Sequence, residues 1–323
     1  MAGRRVLVSG MGGYLGTLVT SMLEDEPWVG ALAGIDADPP RHRLKRTTFH
    51  RIRPGEHDRA VETIVDFDPH IVVYMGVWEP DARAAPSAAA ALTDEASTTV
   101  LGAAAECSSL ESIIIRSGIE VYGRAKRSPT RPSESSRRRP TSDWGRSVEN
   151  IERTALTVGE RVGVTIGTLR LAPVLGRHVP SPLGRFLRQP VVPFSALADP
   201  PFAVIEDRDA ARAFVAAARQ RLAEPLNVVA PGAITVRQAA HRGHRLTLPL
   251  LGPEWLIARP ASYLLGAPIP DHVHELLHRG RLADGSRIES VLGLAPESST
   301  TDVIDSLYSW PSVIHRPAQR QVA

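Results

Sequence analysis

The sequence has little cysteine and no long hydrophobic run, and each shortage excludes a class of protein. Its one cysteine, Cys107, allows neither a disulfide framework nor a site of several thiolate ligands within one chain. No stretch of about 18 apolar residues occurs, and the first apolar run, Val6–Val8, is shorter than the ~7 residues of a secretory signal. We therefore expect a cytoplasmic protein with no membrane span and no secretory signal.

Unbalanced charge and aromatic residues are also scarce. The formal net charge is +3 at pH 7, and aromatic residues make up 5% of the chain. Nucleic-acid surfaces typically need a strongly basic face, and single-strand binding needs aromatic side chains among the basic ones. We therefore predict no nucleic-acid partner. Lysine occurs only as Lys45 and Lys126, which leaves few candidates for a catalytic lysine.

Short apolar runs alternate along the chain with segments of helical periodicity. The runs predict strands near residues 5–9, 31–35, 71–74, 113–115 and 164–171. This alternation predicts the α/β class, with a doubly wound parallel sheet of the Rossmann type and a smaller C-terminal substrate domain. We place the Rossmann domain at 1–170, with later segments near 201–230 returning to it, the mainly C-terminal domain at 171–310, and a tail at 311–323.

A glycine-rich turn follows the first predicted strand and opens the first predicted helix. Gly10, Gly13 and Gly16 would let a pyrophosphate approach main-chain N–H groups at the positive end of that helix. Asp36 ends the next strand, where a carboxylate can accept hydrogen bonds from an adenosine ribose and repel a 2′-phosphate. The sequence therefore predicts a dinucleotide site, with NAD as the cofactor.

Other residues complete the expected cofactor site. Tyr14 and Leu15 lie within the turn, and Gly76 follows the predicted strand at 71–74. Arg41 and Arg43 lie close to Asp36 along the chain, so NADP stays open as an alternative.

Further segments resemble those of one family, the extended short-chain dehydrogenase/reductases and within them the NAD-dependent epimerase/dehydratase family that includes UDP-glucose 4-epimerase. The glycine spacing is the one that this family uses. The segment Arg116-Ser-Gly-Ile-Glu-Val-Tyr-Gly123 resembles its Ser-Ser-x-x-Val-Tyr-Gly motif, and Thr168-Leu-Arg-Leu-Ala-Pro-Val-Leu-Gly176 resembles Leu-Arg-x-x-Asn-x-x-Gly. The resemblance extends over about residues 4–310.

The resemblance implies hydride transfer at a sugar or alcohol carbon, with a Tyr-x-x-x-Lys pair as acid/base and a nearby Ser or Thr. This chain departs from that pattern. Trp144 stands at the tyrosine position, Val148 at the lysine position and Gly118 at the Ser/Thr position. Pro173 replaces the asparagine of the later motif. The usual proton-transfer groups are therefore missing.

Three polar residues remain as candidates for catalysis, namely Ser117, Glu120 and Tyr122. Glu120 matches the glutamate of the Thr-Asp-Glu-Val-Tyr-Gly motif in nucleotide-sugar 4,6-dehydratases, although Ile119 replaces the aspartate. It is either a base or a polar residue at the end of a strand. Tyr122 has Lys126 four residues on, which is either a substitute pair or a chance spacing in a loop.

Two further patterns have alternative interpretations. His274-Glu-Leu-Leu-His278 matches a zinc-protease motif, with Glu297 as the third ligand. A polar surface or interface helix is the favoured interpretation, and we predict no metal site. Seven of the sixteen residues between Arg124 and Arg139 are basic. They form either an anion site for a nucleotide diphosphate or a solvated loop.

Together these patterns predict an atypical NAD(P)-binding protein of the epimerase/dehydratase family. Its expected chemistry is a redox or epimerisation step on a small molecule, either a nucleotide-sugar-like compound or an alcohol. A non-catalytic, dinucleotide-binding regulator or scaffold is the main alternative, and a zinc hydrolase is a remote one. The resemblance also implies a homodimer.

Overall fold

A computed structural model describes residues 3–80, 85–250 and 269–309. At its centre lies a sheet of seven strands in the order β3-β2-β1-β4-β5-β6-β10, and every neighbouring pair is parallel. The predicted doubly wound α/β fold is confirmed. The strands are β1 (Arg4–Ser9), β2 (Val29–Asp36), β3 (Thr48–Arg51), β4 (Ile71–Tyr74), β5 (Ser112–Gly118), β6 (Thr165–Leu171) and β10 (Pro225–Val228).

The central strands are continuous apolar runs because helices cover both faces of the sheet. Residues 6–8, 71–74 and 113–115 are completely buried. On one face α1 packs against α6, and on the other α2, α3 and α4 lie side by side. These helices are α1 (Tyr14–Glu24), α2 (His57–Phe67), α3 (Pro86–Ala104), α4 (Asp143–Val162) and α6 (Asp207–Gln220).

The later part of the chain has a hydrophobic core of its own, between Leu175 and Leu307. The described elements outside the large sheet and its covering helices are two pairs of parallel strands and five helices: β7 (Val174–Leu175) with β9 (Ile205–Glu206), β8 (Val191–Ser195) with β11 (Leu246–Leu250), α5 (Pro182–Leu187), α7 (Val236–Arg242), α8 (Asp271–Arg279), α9 (Arg287–Leu292) and α10 (Thr300–Tyr308). Of these, α9 packs instead against β10 and α6, in the core of the large sheet. The domain limits stay a prediction, and the expected tail at 311–323 lies outside the described residues. Among the described helices, none has both the length and the apolar character to cross a membrane.

The order of the strands reverses between β1 and β4, which leaves a crevice at their carboxyl ends. Gly10 follows β1 and Gly76 lies just beyond β4 at this crevice. The neighbouring β5 ends in a 3₁₀ turn, Ile119–Tyr122, so the turn lies at the same edge of the sheet. The topology thus brings the predicted cofactor turn and the predicted catalytic segment together.

Candidate functional site

One cavity of about 430 Å³ runs along this crevice. The glycine turn, Asp36 and Gly76 form one part of its wall. A second part consists of ionisable and aromatic side chains from the ends of β4 and β5, from α4 and from α8. These residues are Glu79, Arg116, Glu120, Trp144 and His272. The cavity therefore joins a nucleotide-binding loop to a group of charged side chains.

The backbone of the glycine turn passes so close to neighbouring backbone atoms that side chains at Gly10 and Gly16 would clash with them. Gly10 has a φ of 81°, and an added Cβ would lie 2.5 Å from the backbone N of Gly76. A Cβ on Gly16 would overlap the carbonyl oxygen of Gly10. Gly13 is different, because its Cβ would meet only that same oxygen, at 3.4 Å. Gly13 is exposed in the cavity and carries no side-chain cap, so the first N–H groups of α1 stay available to an anion.

Asp36 lies beside this turn and is held by two backbone N–H groups. Gly12 N donates to its Oδ2 at 2.9 Å, and Asp38 N donates to its Oδ1 at 3.0 Å. Burial raises the pKa of Asp36 above its ordinary value, against the effect of these hydrogen bonds. Arg41 also lines the cavity and donates through Nε to the Gly12 oxygen at 3.2 Å, whereas Arg43 is exposed and is not part of the wall.

The other expected cofactor residues also reach the cavity. Tyr14, Leu15 and Gly76 are all part of its wall. Burial, followed by the charge of Asp207 and a hydrogen bond to it, raises the pKa of Tyr14 to about 12, so its phenol stays protonated. Backbone and side chain at the turn fit a dinucleotide, because the N–H groups, the small residues and the carboxylate all face one space.

Glu120 lies where a serine or threonine side chain would stand at position 118. A Cβ on Gly118 would overlap Oε2 of Glu120. The carboxylate is buried, with 6% of its side chain exposed, and Oε1 lies 3.9 Å from Nε of Arg281. Arg281 is 2% exposed and also pairs with Glu275 at 2.6 Å. Glycine at 118 therefore makes room for a carboxylate in place of the missing hydroxyl.

Trp144 and Val148 stand on α4, both buried at 7% and 1% exposure. The indole lines the cavity and packs against the imidazole of His272, with ring centroids 5.5 Å apart. His272 comes from α8, far along the chain, and only 6% of its side chain is exposed. An ionisable ring from the C-terminal part thus lies against the residue at the tyrosine position.

His272 is surrounded by carboxylates. Its Nε2 lies 2.9 Å from Oε1 of Glu79, and its Nδ1 lies 3.6 Å from Oδ1 of Asp271. Burial alone would lower the pKa of His272, but the nearby carboxylate of Asp271, the hydrogen bond to Glu79 and the charges of Glu79 and Glu120 raise it to about 9. Its imidazole is therefore protonated at neutral pH.

Ser117 and Tyr122 belong to a buried polar network. Ser117 Oγ donates to Oε1 of Glu152 at 2.6 Å, and the Tyr122 hydroxyl donates to Oδ1 of Asn227 at 2.7 Å. Arg170 binds both oxygens of Glu152, at 2.9 and 2.8 Å, and donates to the Tyr122 oxygen at 3.0 Å. Ser117 contributes to the cavity wall, but Tyr122 does not, and Lys126, four residues after Tyr122, is exposed.

The basic segment at 124–139 lies outside the cavity wall. Arg124 donates to the Arg279 oxygen at 2.7 Å, Arg131 to the Ala283 oxygen at 3.4 Å, and Arg138 to Glu152 at 2.9 Å. These bonds tie the loop to the C-terminal residues and to α4. Several of its arginines thus hold protein groups rather than a substrate diphosphate.

His274 and His278 share one side of α8, with ring centroids 4.3 Å apart. Glu297, the expected third ligand, instead pairs with Arg212 of α6. Within the described ranges, no three His, Cys, Asp or Glu side chains form a group that could hold a metal ion. The structure therefore offers no support for the zinc alternative.

The sequence interpretation missed Glu79, Arg116 and His272. Glu79 lies just beyond β4, and Arg116 lies near the end of β5. Ligands of open α/β sheets bind at such carboxyl ends of strands. That rule could have singled them out. His272 has no comparable local signal, since it reaches the site only through the packing of α8 against α4.

Comparisons with known proteins place this architecture in a family. A model described as "NAD dependent epimerase/dehydratase family" matches residues 6–225. The chain belongs to this family. The resemblance stated from the motifs is thereby confirmed, and the family's dependence on NAD agrees with the expected cofactor.

Curated relatives of this family member come from mycobacteria and are themselves uncharacterised. A protein of Mycobacterium tuberculosis strain ATCC 25618 / H37Rv is 27% identical over 317 residues, covering 94% of this chain and 83% of the relative. A protein of Mycobacterium bovis matches to the same extent.

Solved structures share the fold of this epimerase/dehydratase-family chain. MoeE5 in complex with UDP-glucuronic acid and NAD has a TM-score of 0.73 and 19% identity, covering 94% of this chain and 97% of MoeE5. UDP-glucose 4-epimerase of Thermotoga maritima with UDP-glucose has a TM-score of 0.73 and 17% identity, covering 94% and 98%. At these identities the likeness concerns the fold alone.

Proposed function

We propose that this protein binds NAD in the crevice and carries out a redox or epimerisation step at an alcohol carbon of a nucleotide-sugar-like substrate or a simpler alcohol. The observation that carries the proposal is the single cavity joining the glycine turn and Asp36 to Glu120 and its charged neighbours. Ionisable groups gathered in a cleft beside a nucleotide-binding loop are typical of functional sites.

The cofactor would rest on residues of the first part of the cavity. N–H groups at the start of α1 would hold the pyrophosphate, and Asp36 would bind the adenosine ribose. When bound, NAD supplies an acceptor and donor of hydride. NADP is a poorer fit because Asp36 would repel a 2′-phosphate, although Arg41 on the same wall partly offsets that charge.

Glu120 would handle a proton of the substrate. Its carboxylate fills the place of the family's Ser/Thr side chain over Gly118, and Arg281 stands 3.9 Å behind it. A positioned carboxylate can accept a hydroxyl proton during oxidation of the alcohol and return it during reduction. Ser117 would position this segment through its bond to Glu152, and the hydrogen bonds of Tyr122 favour a structural role.

The proposed substrate class rests on family membership and on the ligands bound in solved structures with the same fold. The solved structures with this fold include complexes with UDP-glucuronic acid and UDP-glucose. The wall of the cavity nearest the C-terminal part is largely apolar and includes Pro180, Leu183 and Leu276. A sugar or nucleotide lying there would place its reacting carbon toward Glu120.

A second candidate function is a non-catalytic, NAD-binding regulator. The buried Trp144 and Val148 at the positions of the usual acid/base pair favour it. General acid–base catalysis contributes about 10²–10⁴-fold to rate, so an uncompensated loss of that pair would leave little activity.

Two measurements on the purified protein separate these candidates. Calorimetric titration with NAD and with NADP tests the cofactor, and a panel of nucleotide sugars and alcohols, followed by NADH absorbance and product analysis, tests turnover. We expect NAD to bind more tightly than NADP, and Glu120→Gln to bind NAD normally while losing turnover. Glu62→Gln, an exposed change on α2, is the control. Tight NAD binding without turnover of any compound would favour the regulator.

A further inference from the structure

Glu79 and His272 form a pair that no pattern in the sequence brings together. Glu79 lies just beyond β4, and His272 is the second residue of α8. Nε2 of His272 lies 2.9 Å from Oε1 of Glu79, and both residues contribute to the wall of the cavity. The pair therefore spans the crevice between the sheet and the C-terminal part.

The two partners differ in their access to the cavity. His272 is 6% exposed, whereas Glu79 is 29% exposed. Glu79 uses Oε1 for the imidazole, and within residues 3–80, 85–250 and 269–309 its Oε2 has no hydrogen-bond partner. A substrate in the cavity can consequently reach a carboxylate oxygen of Glu79 but not the buried imidazole.

The Glu79–His272 pair lies beside Trp144, which stands at the position of the family's tyrosine. The indole of Trp144 packs against the His272 ring at 5.5 Å, so the two residues share one side of the cavity. In the pattern that the family uses, a positively charged lysine assists the tyrosine from the same helix. Here Val148 carries no charge, and the imidazolium of His272 beside Glu79 supplies a positive charge on this side of the cavity.

We propose that Glu79 is a second acid/base group of this site and that His272 is its positioning residue. This inference rests on the proposed function. In the oxidation of an alcohol whose hydroxyl faces Glu79 rather than Glu120, the O–H bond breaks and its electron pair forms the C=O bond, while the proton goes to Oε2 of Glu79. Bound NAD would take up the hydrogen on carbon together with its electron pair. His272 keeps its own proton, holds Oε1 and stabilises the carboxylate.

The charges around the imidazole explain why it stays protonated during this step. Glu79 and Asp271 face its two nitrogens, Glu120 adds a third negative charge, and the neutral Trp144 covers the ring. The guanidinium of Arg116 offsets part of the charge of Glu79 and Glu120, and Arg281 offsets part of that of Glu120. The proton of His272 is therefore held chiefly by its contacts with Asp271 and Glu79. The buried pair is thus a fixed cation and a carboxylate that alone changes its protonation state.

The first test needs no substrate. Proton NMR follows the imidazole signals of the purified, unliganded protein between pH 5 and pH 10, and contacts with the Trp144 ring assign His272 even if a His272 variant does not fold. We expect His272 to titrate near pH 9 in the wild type and at clearly lower pH in Glu79→Gln. Titration of His272 in the ordinary range of histidine in the wild type would overturn the pairing.

The second test uses the panel compound that the wild type turns over. We expect Glu79→Gln to lower kcat by about 10²–10⁴-fold while NAD affinity, measured by calorimetry, stays unchanged. His272→Gln should retain more activity and shift the pH profile of kcat, a change that a merely structural role would not produce. Glu62→Gln and His274→Gln serve as controls.

The outcomes separate this inference from the proposed function. Full activity of Glu79→Gln in a protein whose wild type is active overturns the role of Glu79 alone. A wild type that binds NAD but turns over no compound overturns the catalytic proposal and this inference with it.

Discussion

A Cβ atom on Gly118 would overlap the Oε2 oxygen of Glu120. The two residues are therefore complementary, since glycine at 118 permits the carboxylate to occupy the space of a side chain there. The backbone of Gly118 is extended, with φ of −142°, so any residue could adopt its conformation. Space for Glu120, rather than backbone freedom, requires glycine at this position.

Gly118→Ala should reduce turnover without a large loss of stability. The overlapping atom is the end of a flexible side chain, so the Glu120 carboxylate can move away, and we expect a cost at the low end of overpacking, about 1 kcal/mol in the free energy of unfolding. Turnover should fall because the carboxylate has left its position. Gly102→Ala on α3, where an added Cβ meets nothing within 4 Å, is the matched control. Unchanged turnover in Gly118→Ala would contradict the assigned role of Glu120.

Two glycines of the cofactor turn should respond differently to alanine. A Cβ on Gly16 overlaps the Gly10 oxygen, so Gly16→Ala should destabilise the fold by about 1–3 kcal/mol in chemical denaturation. Gly13→Ala has room in the protein but fills part of the cavity. It should leave stability unchanged and weaken NAD binding by about tenfold, or ~1.4 kcal/mol. Wild-type NAD affinity in Gly13→Ala would mean that the pyrophosphate lies elsewhere.

Removing the charge of Glu152 should destabilise the protein strongly. Glu152→Gln would leave the Arg170 guanidinium, 5% exposed, without its carboxylate, at a cost of about 3–5 kcal/mol. Urea denaturation measures this, with Glu149→Gln as the control, because Glu149 is partly exposed and 4.0 Å from Arg138. A loss no greater than that of the control would show that the network adds nothing to stability.

Glu152 also makes the stability of the folded protein depend on pH in the acidic range. Burial alone would raise the pKa of Glu152, but the hydrogen bonds and charge of Arg170, with Ser117 and Arg138, lower it below its ordinary value. Its contribution is therefore complete above the pKa of an unfolded glutamate and is lost as the pH falls through the lower pKa of the folded protein. Wild-type stability should fall in this acidic range more steeply than that of Glu152→Gln.

His272 should give the opposite dependence at alkaline pH. Because its pKa is raised to about 9, its contribution to stability is complete below the ordinary value of 6.5 and is lost as the pH rises through 9. The change amounts to about 3 kcal/mol. Chemical denaturation across this range should show the decline in the wild type and its absence in His272→Gln. Parallel curves for the two proteins would contradict the ion pair with Glu79.

The fold and the cofactor turn could be predicted because their signals are local. Gly10, Gly13 and Gly16 lie within one turn, where the spacing of glycines alone indicates a close approach of backbone. The position of Asp36 at the end of the next strand follows from the usual length of a βαβ unit. The absence of the family's tyrosine and lysine, replaced by Trp144 and Val148, could likewise be seen directly in the sequence. Glu79 and His272 could not be paired, because 193 residues separate them and only the docking of α8 brings them within 2.9 Å. Glu120 was singled out, but its relation to Gly118 depends on a side-chain conformation.

A crystal structure of the protein with NAD tests the central claim most directly. We predict the pyrophosphate against the N–H groups of Gly13 and the first turn of α1, the adenosine ribose on Asp36, and the nicotinamide ring between the carboxylates of Glu120 and Glu79. A nicotinamide ring that lies away from both carboxylates, or a crevice that stays empty at saturating NAD, would contradict the account.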